Sequence, residues 1–391
     1  MTARRVLLYV QHLLGIGHLK RSATLADAMT CAGLEVTFVT GGFKVPGLVF
    51  NARHIVQLPP AGAADLSFKE ILDASGNPVD AQWKQQRADL LLDAWRVADP
   101  HVLLIELFPF GRRQMRFELI PLLDAASAAT RRPVIVCSVR DILGGGQKDP
   151  ARQDQMLELF ERYFDQLLVH GDPSWIPFDE TFRHAARLGT KLHYTGYVVD
   201  RQPLALSGAQ AGKDEVIVSV GGGAVGLQLL QTALRARALC VLSKHRWRLL
   251  AGAQINDADL QRLTTLAHRL GGSGILVERN RPDFVQLLAN CRLSVSQGGY
   301  NTVMETLQAH APAVIVPFAG GSEAEQTLRA RLLAQRGWID VVEESVLNPH
   351  SLADAINRAA RRSRPTGHVA RLDGAASSAA MVAGWAKALP C

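Results

Sequence analysis

The chain is expected to fold as an α/β protein built from two Rossmann-like domains facing a cleft. Three observations carry this expectation. Apolar runs of strand length alternate with helix-length segments, as in parallel sheets covered by helices on both faces. The alternation stops in a polar stretch near the middle of the chain and then begins again. The chain's 391 residues exceed one ordinary core and suit two or three domains at ~150 residues each.

The first strand is Val6 to Val10, a continuous apolar run suited to burial on both faces. A loop, Gly15-Ile16-Gly17-His18, leads into a helix from Lys20 to Cys31, with Ala23, Leu25, Ala26 and Met29 for its packed face. Gly33 ends that helix as a C-terminal glycine. Val36 to Val39 is the next strand, so the chain opens as a βαβ unit with a right-handed crossover. Strands follow at Val102 to Glu106, Val134 to Ser138 and Leu167 to His170, and helices at Asp80 to Val97 and Arg116 to Ala129.

Residues 200–213 hold Pro203, Ser207, Gly208 and Gly212 without periodicity and read as a linker. The second series has strands at Val216 to Val220, Trp247 to Gly252, Gly274 to Glu278, Leu293 to Ser296 and Ala313 to Pro317. Its helices are Ala224 to Leu239, Asp257 to Leu270, Pro282 to Ala289, Asn301 to Gln308 and Ser322 to Gln335. The expected domains are residues 1–199 and 214–374. Residues 375–391, rich in small residues, form a closing helix.

Composition removes several classes. Hydrophobic residues are 48% and charged residues 20%, which excludes a disordered chain. Cys31, Cys137, Cys240, Cys291 and Cys391 are far apart with no C-x-x-C pair, against a zinc ribbon or disulfide framework. No apolar run approaches the ~20 residues of a membrane span. Arg4-Arg5 before Val6 to Val10 mimics a signal peptide, but Gln11 and His12 interrupt it, and a cytoplasmic, soluble protein is expected. The net charge of +7 suits an anionic partner, or is scattered solubilising charge.

The glycine loops carry the chemistry. G-x-G-x-x-G fails at Lys20, and no G-x-x-x-x-G-K-[ST] is present. Gly15 and Gly17 after strand one still let a ligand approach the backbone. His18 beside them, near a helix N-terminus, would be held neutral as a general base requires, or it packs and caps the helix. Gly221-Gly222-Gly223 between strand and helix suits a phosphate, or is a flexible turn. Gly298-Gly299-Tyr300-Asn301-Thr302-Val303-Met304-Glu305 repeats that junction. Glu305 either accepts ribose hydroxyls or closes a capping box with Thr302. Ser322-x-x-Glu325 poses the same choice, and Glu325-Gln326 could bond sugar hydroxyls. Glu106, ahead of Leu107-Phe108-Pro109-Phe110-Gly111-Arg112-Arg113, is an acid–base partner for His18 or an ion-pair partner of Arg112 or Arg113. Arg140-Asp141 and His170-Gly171-Asp172 also follow strands.

The motifs of residues 279–337 come in a telling order. Asp283-Phe284, a strand, Gly298-Gly299-x-x-Thr302-x-x-Glu305, Pro312 to Pro317, Glu325-Gln326 and Gly337 follow one another. This resembles the donor half of two-domain GT-B glycosyltransferases, above all the lipid-intermediate N-acetylglucosaminyltransferases of peptidoglycan synthesis and the UDP-glycosyltransferases. Agreement is weaker over most of the remaining chain, where Thr195-Gly196-Tyr197-Val198 resembles the end of the family's first domain. The resemblance implies that Gly299, Thr302 and Glu305, with Gly298 and Asn301 in the same loop, hold the nucleotide. It gives Glu325 and Gln326 to the donor sugar, Gly15, Gly17 and His18 to the acceptor side, and the final helix to the first domain; Arg112, in the segment after Glu106, is a further acceptor-side candidate. Gln297 stands where many relatives have His, and Lys20-Arg21-Ser22 where a proline is usual, so an unusual acceptor is expected.

The expected reaction moves a sugar from a nucleotide-sugar, UDP-linked as the resemblance implies, to an acceptor hydroxyl. It is expected to invert and to need no metal or other cofactor, since no Asp-x-Asp is placed to hold a metal at the diphosphate. The alternatives are a nucleotide-sugar epimerase or hydrolase on the same fold, and a nucleic-acid-binding protein, which lacks its usual signatures. The acceptor is a sugar, a lipid-linked or a small molecule. Phe108 to Leu123 mixes aromatic, aliphatic and basic residues, either a peripheral membrane contact or the buried face of a helix.

Overall fold

The computed structural model describes residues 3–13, 16–45, 47–63, 70–144, 149–199, 210–220, 226–252, 255–318, 325–362 and 370–389. The chain divides into two compact units, Met1–Asp200 with Arg371–Cys391, and Arg201–Ala370.

In chain order the first unit contains β1 (Arg5–Val10), α1 (Gly17–Cys31), β2 (Glu35–Thr40), β3 (His54–Gln57), β4 (Gly62–Ala63), β5 (Ile71–Leu72) and α2 (Ala81–Ala98). It continues with β6 (Val102–Glu106), α3 (Arg116–Ala128), β7 (Val134–Arg140), α4 (Pro150–Tyr163), β8 (Gln166–His170), α5 (Ala185–Leu188) and β9 (Leu192–Tyr194). The main sheet runs β3-β2-β1-β6-β7-β8-β9. All its pairings are parallel, while β4 and β5 form a separate antiparallel pair.

Alternation along β1 sorts its side chains to two faces. Val6, Leu8 and Val10 pack with Leu19, Leu25, Ala26 and Met29 of α1. Leu7 and Tyr9 face the other way, into a core with Leu103, Ile105, Leu119 and Leu122. The helix expected from Lys20 begins earlier, at Gly17, after Ile16 as N-cap. His18 therefore stands in its first turn and not in a loop.

The last helix, α12 (Gly374–Ala388), belongs to the first unit, where Ala379, Val382 and Ala386 join the core beside α1. Its entry is fixed by backbone pairing. Tyr197 N–H donates to Arg371 O at 2.6 Å, and Gly374 N–H to Tyr197 O at 3.0 Å. A Cβ at Gly374 would lie 2.3 Å from Gly196 O, so glycine permits this close approach.

The second unit contains β10 (Val216–Ser219), α6 (Leu227–Ala236), β11 (Trp247–Ala251), α7 (Asp257–Gly271), β12 (Ile275–Arg279), α8 (Phe284–Asn290) and β13 (Leu293–Gln297). Then come α9 (Tyr300–Gln308), β14 (Ala313–Val316), α10 (Glu325–Gln335), β15 (Asp340–Val341) and α11 (Pro349–Ala360). Its sheet, β12-β11-β10-β13-β14-β15, is again parallel throughout.

Strand order reverses between β1 and β6 in one sheet and between β10 and β13 in the other. Crossovers leave in opposite directions at such a point, which opens a crevice at the strand C-termini where ligands of open α/β sheets bind. His18 follows β1 and Glu106 ends β6. Gly221 to Gly223 follow β10, and Gly298-Gly299 follow β13.

Candidate active site

Side chains of the β1–β6 switch point converge. His18 is the second residue of α1, and Glu106 is the last of β6. His18 Nδ1–H donates to Glu106 Oε1 at 2.7 Å. An ionised carboxylate only accepts, so this bond keeps the proton on Nδ1 and the lone pair on Nε2. Arg21, one turn further along α1, donates to the same Oε1. Arg140 ends β7 and brings Nη2 to 3.2 Å from His18 Nε2.

Burial dominates the proton affinity of His18. Together with the Arg140 and Arg112 charges it outweighs Glu106 and lowers the imidazole to about 3. Burial by itself would raise Glu106, but His18, Arg21 and Arg112 overcome it and hold the carboxyl at about 2. The pair is thus a neutral imidazole against a carboxylate at neutral pH. The expected helix-terminus effect is not the cause; desolvation is.

The pairing of Glu106 with His18 is present in the geometry, whereas the ion pair expected with Arg112 or Arg113 is not the one Glu106 makes. Its cationic contact is Arg21. Arg112 acts on it through space while its own Nε donates to Gln11 O at 2.7 Å, and Arg113 is exposed. Leu107 and Arg112 both take left-handed backbone, φ 69° and φ 57°. Such residues cost ~1–3 kcal/mol each. The turn between them is anchored by Phe108 and Phe110, both 1% exposed. Phe110 packs edge-on to Phe178 and Phe182, with centroids at 5.8 and 5.0 Å.

That anchoring corrects the membrane reading of Phe108 to Leu123. Phe108, Phe110, Met115, Leu119, Leu122 and Leu123 lie in the core, and Phe117 and Ile120 pack against it. The apolar positions of α3 are answered by the sheet and α2, so most of the segment's apolar side chains are spent in the core.

The other strand-end polar residues hold loops. Asp141 Oδ1 accepts from Ile142 N–H at 2.9 Å. His170 bridges Ser138 Oγ at 2.7 Å and Thr195 Oγ1 at 2.9 Å, and burial lowers it to about 3. Asp172 accepts from Ser174 and from Arg371 N–H. Arg21 had no functional reading in the sequence, although its i+3 spacing from His18 places both on one helix face.

In the second unit, α9 starts at Tyr300 with Gly299 as N-cap, and no side chain caps it. Thr302 is already inside the first turn, its carbonyl accepting from Thr306 Oγ1 at 2.7 Å. The capping box with Thr302 as cap therefore does not form, because the helix starts three residues earlier, from the paired glycines. Val303, Met304, Thr306 and Leu307 are buried, while Asn301, Thr302 and Glu305 share the half-buried face. A Cβ on Gly299 would meet nothing within 4 Å; on Gly298 it would stand 3.2 Å from Gln326 Cβ.

Gln326 Oε1 accepts from Phe318 N–H at 3.1 Å. Glu325 is buried and accepts from Arg329 Nη2 at 2.9 Å, and the Arg329 guanidinium lies over the Tyr300 ring at 5.1 Å. These bonds tie the start of α10 to the α9 loop. Asp257 and Asp259 of α7 pair with Arg279 and with Asn256 and Arg262. Gly15, Gly221, Gly222, Gly223 and Ser322 lie outside the described residues. The structure thus joins His18 to Glu106 in the first unit, and Gly298 to Gln326 in the second.

Residues 217–372 match the model of the glycosyltransferase family 28 C-terminal domain. A Granulibacter bethesdensis UDP-N-acetylglucosamine–N-acetylmuramyl-(pentapeptide) pyrophosphoryl-undecaprenol N-acetylglucosamine transferase is 27% identical over 259 residues. That match covers 62% of this chain and 62% of the relative's length. Among solved structures, CalG4, the calicheamicin glycosyltransferase, aligns with a TM-score of 0.58 and 17% identity over 99% of this chain and 97% of its own. MurG of Acinetobacter baumannii aligns with a TM-score of 0.57 and 15% identity, covering 98% and 99%. The chain has the GT-B fold, and it resembles the lipid-intermediate N-acetylglucosaminyltransferases and UDP-glycosyltransferases.

Proposed function

We propose, from the family 28 match over residues 217–372, that the chain is a glycosyltransferase moving a sugar from a nucleotide-sugar to an acceptor hydroxyl. The observation that carries this reading is the coincidence of that match with the switch-point loop Gly298-Gly299 and the half-buried face of α9. The second unit takes the donor. Amides at the start of α9 and the glycine loop after β10 hold the diphosphate, and Glu305 with Thr302 and Asn301 holds the ribose. The first unit takes the acceptor.

His18 Nε2 removes the hydroxyl proton as the oxygen attacks the anomeric carbon. Glu106 orients the ring through Nδ1–H and stabilises the imidazolium that results, the logic of a carboxylate–histidine pair. The leaving diphosphate is stabilised by helix dipole and backbone amides without a cofactor. A single displacement of this kind inverts the anomeric centre.

A screen of UDP-, dTDP- and GDP-sugars by thermal shift tests the reading. A ligand at 100 times its Kd stabilises by ~2.7 kcal/mol, and a UDP-sugar should give the largest shift. No stabilisation by any nucleotide-sugar overturns it. An epimerase or hydrolase would convert the donor without an acceptor, and product analysis separates these from transfer. The relative named above acts on a pyrophosphoryl-undecaprenol intermediate, which supports a lipid-linked acceptor met at the cytoplasmic membrane face. Sedimentation with vesicles at low and high salt tests that contact; equal recovery in all supernatants favours a water-soluble acceptor.

A further inference from the structure

One contact in the first unit conflicts with a base ready to act. The lone pair on His18 Nε2, the one Glu106 leaves available, faces Arg140 Nη2 at 3.2 Å. A hydroxyl proton cannot transfer to a nitrogen whose lone pair already accepts an N–H. The groups acting on His18 are Glu106, Arg21, Arg140 and Arg112. Three guanidiniums thus face one carboxylate. Asp141, next in the chain, is directed elsewhere, bonded to Ile142 N–H and lying against Gly171. Arg112 is held by its Nε on Gln11 O and by the anchored turn, so its guanidinium is fixed in place.

Resting on the glycosyltransferase reading, we propose that Arg140 masks the base until an anionic group of the acceptor, a phosphate oxyanion, engages Arg140 together with Arg112 and draws it off His18 Nε2. The acceptor's charge then serves the chemical step and not only binding. An acceptor lacking it would meet a covered lone pair. The step balances as a proton transfer: the acceptor O–H breaks, Nε2–H forms, and the guanidinium stays protonated throughout. Neutralising Arg140 also removes one of the charges that depress His18, which makes the imidazole a stronger base. Arg140 is a positioning residue for His18, and its fork suits two phosphate oxygens.

The test follows His18 in the full chain labelled with 15N-histidine, its signals assigned by the loss seen in H18Q. Inorganic pyrophosphate is the probe. Saturation should raise the His18 titration midpoint by about one unit or more and remove the Nε2 shift caused by the accepted hydrogen bond. In R140Q the midpoint should already be raised and pyrophosphate should leave it unchanged. R112Q should bind pyrophosphate about tenfold more weakly, and R140K, which keeps the charge, should behave nearer to the parent. Glucose 6-phosphate and phosphatidic acid vesicles distinguish a soluble phosphate from a lipid headgroup by which one reproduces the shift. Pyrophosphate binding with no change at His18, or equal binding by parent and R112Q/R140Q, overturns the proposal. Failure of all nucleotide-sugars to bind, with the His18 response intact, overturns the transferase reading instead.

Discussion

His18 and Glu106 differ in what each loses on substitution. His18→Ala removes the nitrogen proposed to take the proton, and turnover should fall by ~10²–10⁴-fold while nucleotide-sugar affinity is unchanged. Near-normal turnover would reject the role. Glu106→Gln keeps an acceptor for Nδ1–H but removes the charge that steadies the imidazolium, so kcat should fall and KM stay constant. On the donor side, Glu305→Ala should weaken UDP-sugar binding strongly with little change in melting temperature. Thr302 is not a cap, so a capping loss of ~1 kcal/mol is not expected to confuse the measurement. Unaltered nucleotide affinity would remove Glu305 from the site.

The β6–α3 junction shows how an element places a residue. Its left-handed positions hold only while Phe108 and Phe110 stay in the core. Phe110→Ala should cost ~3–5 kcal/mol in urea unfolding and should weaken activity beyond that, since Glu106 and Arg112 flank the turn. Loss of stability with kcat intact would show that the turn does not position them. Gly374→Val at the start of α12 should destabilise the first unit, because its Cβ meets Gly196 O; an unchanged melting temperature would contradict that packing. Most central strands were legible in the sequence because burial on both faces requires unbroken apolar runs, as in Val6 to Val10 and Val102 to Ile105. The largely exposed β3 and the two-residue β15 carry no such signal, and neither was expected. His18 and Glu106 were legible from their places after strands. The part of Arg21 was not, because its partner lies 85 positions away along the chain. Arg140 was marked by its strand end, but no pattern in the sequence shows which nitrogen of which histidine it covers.

At the scale of the molecule, buried histidines set the response to acid. His18 and His170 are held at about 3 and His101 at about 4, against an ordinary value of 6.5, chiefly by burial. Between those limits the unfolded chain binds more protons than the folded one, so stability rises with pH and is lost as pH falls below about 6.5. Glu106, at about 2 in the fold, adds a contribution that is present above its ordinary 4.5 and is lost on falling through 2. Urea midpoints should therefore decline steadily from pH 7 to pH 4, each group adding at most ~1.4 kcal/mol per pH unit. A flat profile would show that the histidines are not buried neutral. The return of α12 to the first unit has a further consequence, in the order of synthesis. The surface of α1 that receives Val382 and Ala386 is made early, and its cover is made only after residues 201–370 have been translated. The nascent first unit must wait with that apolar face open, and the whole second unit can fold in the interval. Chains arrested on the ribosome before Gly374 should bind holdase chaperones through the first unit, and release should coincide with emergence of α12.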